Sequence, residues 1–290
     1  MNFSAITVSF PIDEETYSEL KALCKEATQE DSVNYELVMN LQIARNYEMS
    51  GFFVLVYDDD QNKLAGVASA VDMMGLNTFE WSLLVSPIYR KLGIGNALFG
   101  SLHEGLEVRG AVGELALTVE NSPFGANYLT KNGYQYSFSE ATMEAKAELM
   151  APYEGLFIRP FDHSDREAIV DIFCTAFGDT EEEAHELINF NSTAADLNLW
   201  VAELDGNVVG TVTTRKEGEA QWVTALAVHP KYEGRGIGTA LLNWVKDYAL
   251  RGGEKIVLLD VEIENNRALS VYEKANFIKT MQIDYYVFVG

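Results

Sequence analysis

The chain has 290 residues, a length that suits about two domains of roughly 150 residues each. An apolar fraction of 48% and an aromatic fraction of 11% exclude a largely disordered chain. Its 21 Lys and Arg against 44 Asp and Glu give a net charge of −23, which makes a poor binder of nucleic acid or of an anionic membrane surface, because nothing offsets phosphate repulsion.

In chain order, residues 52–57 and 64–71 read as two strands around Asp58-Asp59-Asp60. An apolar strand ending at Val85 follows, then a Gly-rich turn and an amphipathic helix over 94–108. Residues 115–119 read as a buried strand, and a short helix and a β-rich segment close the half. The order then restarts. Residues 156–162 alternate as a strand, 164–177 carry apolar groups at helical spacing, and Gly178 is a good stop. Strands over 199–204 and 208–215 are joined by Asp205-Gly206, a strong hairpin signal. A strand ending at Val228, a helix over 237–250, a strand over 256–263, a short helix and a last β-rich segment complete the chain.

The two halves are a repeat. The stretch from Val85 through Pro87, Tyr89, Gly93 and Gly95 to Leu98 recurs from Val228 through Pro230, Tyr232, Gly236 and Gly238 to Leu241, at a constant offset of 143 residues. The same offset pairs Lys131 with Lys274 and Tyr134 with Phe277. The reading is therefore two domains, 1–150 and 151–290, joined near 151–155. The strand over 115–119 looks displaced by one residue against its counterpart.

Cys24 and Cys174 fall in separate halves, and His103, His163, His185 and His229 are scattered, so neither disulfides nor a metal site is expected. No basic region followed by an apolar core opens the chain, and no apolar run approaches the ~20 residues that span a bilayer. A reduced, cytoplasmic protein is expected, its oligomeric state left open.

A strand running into Gly-x-Gly and then a helix presents unpaired backbone N–H groups at the positive end of the helix dipole. Glycine lets a phosphate approach closely, so the turn suits a pyrophosphate. Arg90, Lys91 and Arg235 would add charge beside it. The turn is not a dinucleotide fingerprint, since Leu98 or Leu241 stands at the third glycine position, and no Gly-Lys-Ser/Thr follows.

Val-x-Pro-x-Tyr followed by (Arg/Gln)-x-x-Gly-x-(Gly/Ala) resembles the acetyl-CoA-binding signature of the GNAT acetyltransferase superfamily. The run from Asn265 through Ala268, Tyr272, Glu273 and Lys274 to Phe277 is similar to that family's last helix and the start of its final strand. The resemblance covers nearly the whole chain. It implies an α/β (α+β) fold of two GNAT-like domains, each a mixed, mostly antiparallel sheet flanked by helices and parted between its fourth and fifth strands.

Acetyl-CoA would then be held in the second half by Leu226, Ala227, Val228, Gly234, Arg235, Gly236, Ile237, Gly238 and Thr239, with Asn265 at the pantetheine or as a helix cap. In the first half the matching positions are Leu83 to Val85, Arg90, Lys91, Gly93, Gly95 and Asn96. Tyr272 matches the tyrosine that protonates the departing thiolate, and a backbone N–H of strand four would hold the oxyanion. Glu262 is the candidate general base, with Asp260 and Glu80 as alternatives. The first half departs from the pattern: Leu129 stands in the place of Tyr272, with Tyr128 adjacent. It is left open whether that half binds CoA, serves as scaffold or walls off the acceptor.

The implied function is acetyl-CoA-dependent N-acetyl transfer to a primary amine of a small molecule or peptide, possible attraction of a cationic acceptor following from the acidic surface. The competing reading is a non-catalytic CoA-binding sensor or assembly module, which a duplicated and diverged first half would suit.

Overall fold

The computed structural model describes residues 2–290. The chain forms two compact units: one runs to Ser139 and resumes over Gln282–Gly290, and the other is Glu140–Met281. The repeat places the join near residue 151, whereas the compact units divide at Glu140 and again at Gln282.

In the first unit, strands β1 (Phe3–Ser9), β2 (Ser50–Asp58), β3 (Lys63–Asp72) and β4 (Thr78–Val85) pair antiparallel in that order. Strand β5 (Gly113–Val119) is parallel to β4, and the unit is closed by residues 283–287 antiparallel to β5. These last residues belong to the final strand of the chain. Helix α1 (Glu14–Asp31) starts where the Asp13 carboxylate accepts from the Thr16 N–H at 2.8 Å. It buries Leu20, Leu23, Cys24 and Ala27, spaced at helical period. Helix α2 (Ile94–Val108) buries Ile94, Leu98, Leu102 and Leu106 against Phe52, Val54, Trp81 and Ala116. Helix α3 (Gly125–Lys131) precedes β6 (Tyr134–Lys146), whose first residues stay in this unit.

The second unit repeats the plan with β7 (Leu156–Pro160), β8 (Leu197–Leu204), β9 (Asn207–Glu217) and β10 (Ala220–Val228), then β11 (Ile256–Glu262) parallel to β10. Residues 140–146 of β6 close it antiparallel to β11. Each unit thus takes its closing strand from the other half of the sequence. Helix α6 (Ile237–Gly252) covers one sheet face through Leu241, Leu242, Val245 and Ala249. Helices α4 (Arg166–Ala176) and α5 (Glu181–Thr193) cover the other over Leu199, Val201 and Ala227. The short α7 (Asn266–Lys274) leads into β12 (Ile278–Phe288).

The displacement expected at residues 115–119 is not there. Strands β5 and β11 keep the 143-residue offset end to end. What differs is the side chains: Val257, Leu259 and Val261 face the core in the second unit, where Glu114, Ala116 and Thr118 stand in the first. That exchange of apolar phase mimics a one-residue slip. The extra residue lies in β10, as a bulge between Val223 and Ala225.

Candidate functional site

In both units the two parallel strands part. Pairing between β10 and β11 stops at Val223 and Leu259, and pairing between β4 and β5 stops at Trp81 and Ala116. Beyond each fork lies a cavity, 630 Å³ in the second unit and 480 Å³ in the first. Both volumes fall in the range of small-molecule sites.

The second cavity brings together Leu226, Ala227 and Val228 at the end of β10, Gly234, Gly236, Ile237, Gly238 and Thr239 of the turn, and Asn265 and Tyr272 of the last helix region. Gly236 has φ +79°, a left-handed conformation that favours glycine, and α6 begins there with no side-chain cap. The first-turn N–H groups are therefore left for a ligand. Gly238 packs against α7: a Cβ there would lie 3.2 Å from Val271 Cγ1. His229 fixes the entry to the turn. Its Nδ1 accepts from the Lys231 N–H at 3.1 Å and its Nε2 lies 2.9 Å from an Asp171 carboxylate oxygen on α4.

Asn265 caps α7, accepting from the Ala268 N–H at 3.0 Å, and lines the cavity as well. The Tyr272 ring leans on Phe277 at 6.3 Å, and its hydroxyl has no hydrogen bond among the described residues. Burial pushes its pKa above the usual phenol value, so the group is protonated at neutral pH.

Two expected residues lie elsewhere. Arg235 is not in the cavity wall; its guanidinium sits 5.2 Å over the Tyr232 ring, and its carbonyl accepts from the Tyr153 hydroxyl at 3.0 Å. Glu262 is exposed on β11 opposite Glu140, outside the cavity wall. Asp260 is the first residue of β11 past the fork. It is open to solvent yet closely surrounded by protein, and that desolvation raises its pKa, opposed by a 2.6 Å hydrogen bond from the Thr142 hydroxyl. Glu80 sits on β4 before the fork, level with Leu115.

Sequence reasoning missed Arg267 and Lys274, both in the wall of the second cavity. Arg267 pairs with Glu233, the residue standing where the repeat has Arg90. A cation in the first turn of the last helix, two residues after Asn265, was the available signal.

In the first cavity the wall includes Leu83, Leu84, Val85, Arg90, Lys91, Gly93, Gly95 and Asn96, all eight expected positions. Arg90 is held in an ion pair, as Arg267 is by Glu233 in the second unit. Both terminal nitrogens of its guanidinium donate to Asp31 at 2.8 and 2.5 Å, the carboxylate being 5% exposed, and Nε donates to Val85 O at 3.3 Å. The Arg90 hydrogen bonds hold the Asp31 pKa below the usual carboxylate range. Leu129 is buried, as its place in the pattern implies, and Tyr128 lies over the turn with its hydroxyl donating to Gly95 O at 2.9 Å.

Among the described residues no group of three or more His, Cys, Asp or Glu is placed to hold a metal ion, and no helix is long and apolar enough to cross a membrane.

Comparison with known proteins places this geometry. The model of the acetyltransferase (GNAT) family matches residues 15–134 and 166–277. An acetyltransferase of Sodalis glossinidius (strain morsitans) is 34% identical over 126 residues, 41% of this chain and 85% of that protein. A GCN5-related N-acetyltransferase from Sphaerobacter thermophilus has the same fold, with a TM-score of 0.74 at 19% identity over 97% of this chain and 94% of that one. A tandem GNAT protein from the clavulanic acid biosynthesis pathway gives a TM-score of 0.70 at 16% identity over 98% of each chain.

Proposed function

The chain belongs to the acetyltransferase (GNAT) family, with two copies of the domain in tandem, and from that premise we propose that it is an acetyl-CoA-dependent N-acetyltransferase whose chemistry resides in the second copy, residues 151–290, completed by the strand at 140–146. The observation that carries this reading is the single 630 Å³ cavity into which the uncapped turn, the cations Arg267 and Lys274 and the phenol of Tyr272 all face. Turn amides and cations suit the phosphates of CoA, and the parted strands β10 and β11 leave room for an amide-bearing arm.

The residues divide the work as follows. The bulge at Thr224 takes a backbone N–H of β10 out of the ladder, where it can hold the oxyanion of the attacked thioester carbonyl. Tyr272 gives its proton to the departing thiolate sulfur. A carboxylate of β11 takes the proton of the attacking amine; Asp260 lies nearer the fork than Glu262 and, with its raised pKa, is the better matched proton acceptor. The acceptor is a primary amine of a small molecule or peptide, and the charge of −23 favours a cationic one.

Calorimetric titration with acetyl-CoA tests the reading together with thiol release across a panel of amines. One site lost in Gly236→Glu, with turnover of at least one amine, supports it. Binding without turnover of any amine would replace it with a CoA-sensing module, and no binding would leave only the shared fold.

A further inference from the structure

The join between the halves, residues 147–155, carries no helix or strand and belongs to the second unit. Two of its side chains reach two separate parts of the second site. Near one end, Glu148 pairs with the Lys246 ammonium at 2.9 Å. Lys246 is fully buried on α6 and also donates to the Ala275 carbonyl at 3.2 Å. Ala275 is the buried C-cap of α7. A carbonyl at a buried helix end has lost its helical donor and is costly to leave bare, and a cation there is favoured by the helix dipole. The same end is tied to Tyr272, whose carbonyl accepts from the Ala275 and Phe277 N–H groups, each at 3.0 Å. Lys246 thus fixes the stretch of backbone to which the Tyr272 backbone is bonded.

Near the other end, the Tyr153 hydroxyl donates to Arg235 O at 3.0 Å, and the ring lies beside Gly236, where a Cβ would be 3.9 Å from Tyr153 Cε2. Gly236 opens α6 at positive φ with no side-chain cap. The aim of the first N–H groups of α6 therefore depends on the backbone of the turn.

The first unit makes both kinds of contact from its own last helix and C-cap. There the Tyr128 hydroxyl donates to Gly95 O at 2.9 Å, and the Asn132 side chain donates to Tyr128 O at 2.8 Å. At the same repeat positions the second unit has Val271 and Ala275, whose side chains carry no donor. A phenol on the turn and a donor at the end of the helix are present all the same. They come from Tyr153 and from Lys246 with its partner Glu148.

We propose that the join is a positioning element of the second site, with Glu148 acting through Lys246 on Tyr272 and Tyr153 acting on the glycine turn. The roles of Tyr272 and of the turn rest on the acetyltransferase reading; the contacts do not.

The test uses the full chain, acetyl-CoA and the amine turned over fastest. Glu148→Ala and Lys246→Met lower kcat about tenfold and leave the KM for acetyl-CoA within about twofold, since a misplaced acid slows the reaction without weakening binding. Tyr153→Phe keeps the ring and weakens acetyl-CoA about fivefold in calorimetric titration, the worth of one modest hydrogen bond. Amide hydrogen exchange reads the same contacts without ligand or turnover. Lys246→Met and Glu148→Ala speed exchange at Ala275 and Phe277, and Tyr153→Phe speeds it at Ala240, whose N–H donates to Gly236 O at 2.9 Å. Unchanged exchange in Glu148→Ala or in Tyr153→Phe, or kcat and KM moving together in Lys246→Met, would overturn the proposal. Should Lys246→Met fail to fold, Glu148→Ala decides. If no amine is turned over while exchange responds as stated, the acetyltransferase reading fails and the positioning contacts stand.

Discussion

Replacing Tyr272 by Phe separates chemistry from packing. The ring remains in place against Phe277, and the hydroxyl that is removed makes no hydrogen bond among the described residues. No partner is orphaned, so the stability change is expected within about 0.5 kcal/mol. If Tyr272 supplies the proton to the thiolate, its loss removes a general acid worth roughly 10²–10⁴-fold in rate, or about 2.7–5.4 kcal/mol of barrier. The assay is thiol release from acetyl-CoA with the best amine of a panel, with thermal melting on the same samples. kcat should fall a hundredfold or more while the melting temperature and the KM for acetyl-CoA hold. Because burial raises the Tyr272 pKa, the acid form persists beyond the ordinary phenol value of about 10, so the wild-type kcat should show no loss of this acid up to that pH. A kcat within threefold of wild type would refute the assignment and leave Tyr272 a packing residue.

Three further outcomes follow from the buried groups of the two units. Met143 is 3% exposed in the core of the second unit although the first half encodes it, so Met143→Ala should cost about 2–5 kcal/mol; urea unfolding followed by Trp200, Trp222 and Trp244 fluorescence should shift. Lys246 is fully buried, its ammonium on Glu148 at 2.9 Å and Ala275 O at 3.2 Å; Lys246→Ala removes three buried methylenes at ~0.8 kcal/mol each, about 2.4 kcal/mol, and Lys246→Met should recover most of it in the same melts. In the first unit, His103 Nε2 lies 3.4 Å from Glu114, and the Tyr134 hydroxyl donates to Glu114 at 2.6 Å. The hydrogen bond to Glu114 raises the His103 pKa; burial alone would raise that of Glu114, but the bonds from His103 and Tyr134 outweigh it and lower it. The His103 contribution is therefore complete below its unfolded pKa of about 6.5 and lost as pH rises through the raised folded value, and that of Glu114 is lost as pH falls below about 4.5. Melting temperature against pH should decline above 6.5 in the wild type and lose that decline in His103→Gln; an unchanged profile would refute the coupling.

Much of this was legible in the sequence because it rests on local chemistry. The turn glycines, the hairpin at Asp205-Gly206 and helices α2 and α6 follow from backbone freedom and period, and each appears where its residues predict. Partner choice is another matter. The alternation of residues 140–146 says that Ala141, Met143 and Ala145 need burial, but any apolar sheet edge satisfies that, so the crossing of the closing strands leaves no mark in either half. The Arg90–Asp31 pair was not legible either, because Asp31 comes from the end of α1 and reaches Arg90 only through the fold. Arg267 was overlooked for the converse reason: its value comes from the cavity it lines, not from its neighbours.

The duplication turns these differences into an internal control. Backbone geometry is nearly constant across the repeat, with both glycines at positive φ, both forks open and both helices uncapped. Any divergence in ligand preference between the cavities must then reside in side chains. Those that differ include Arg267 to Phe124 in the wall, Val271 to Tyr128 over the turn, and Glu233–Arg267 to Asp31–Arg90 beside it. Relaxed constraint on an idle copy would leave a wet or collapsed fork with its polar groups unpaired. In the first unit, instead, Arg90 is paired on both terminal nitrogens and Tyr35 and Tyr128 each find a hydrogen-bond partner, although Trp81 Nε1 in the wall has none. With Arg90 and Lys91 in its wall beside an uncapped turn, the first cavity keeps the chemistry of a ligand site rather than of a remnant.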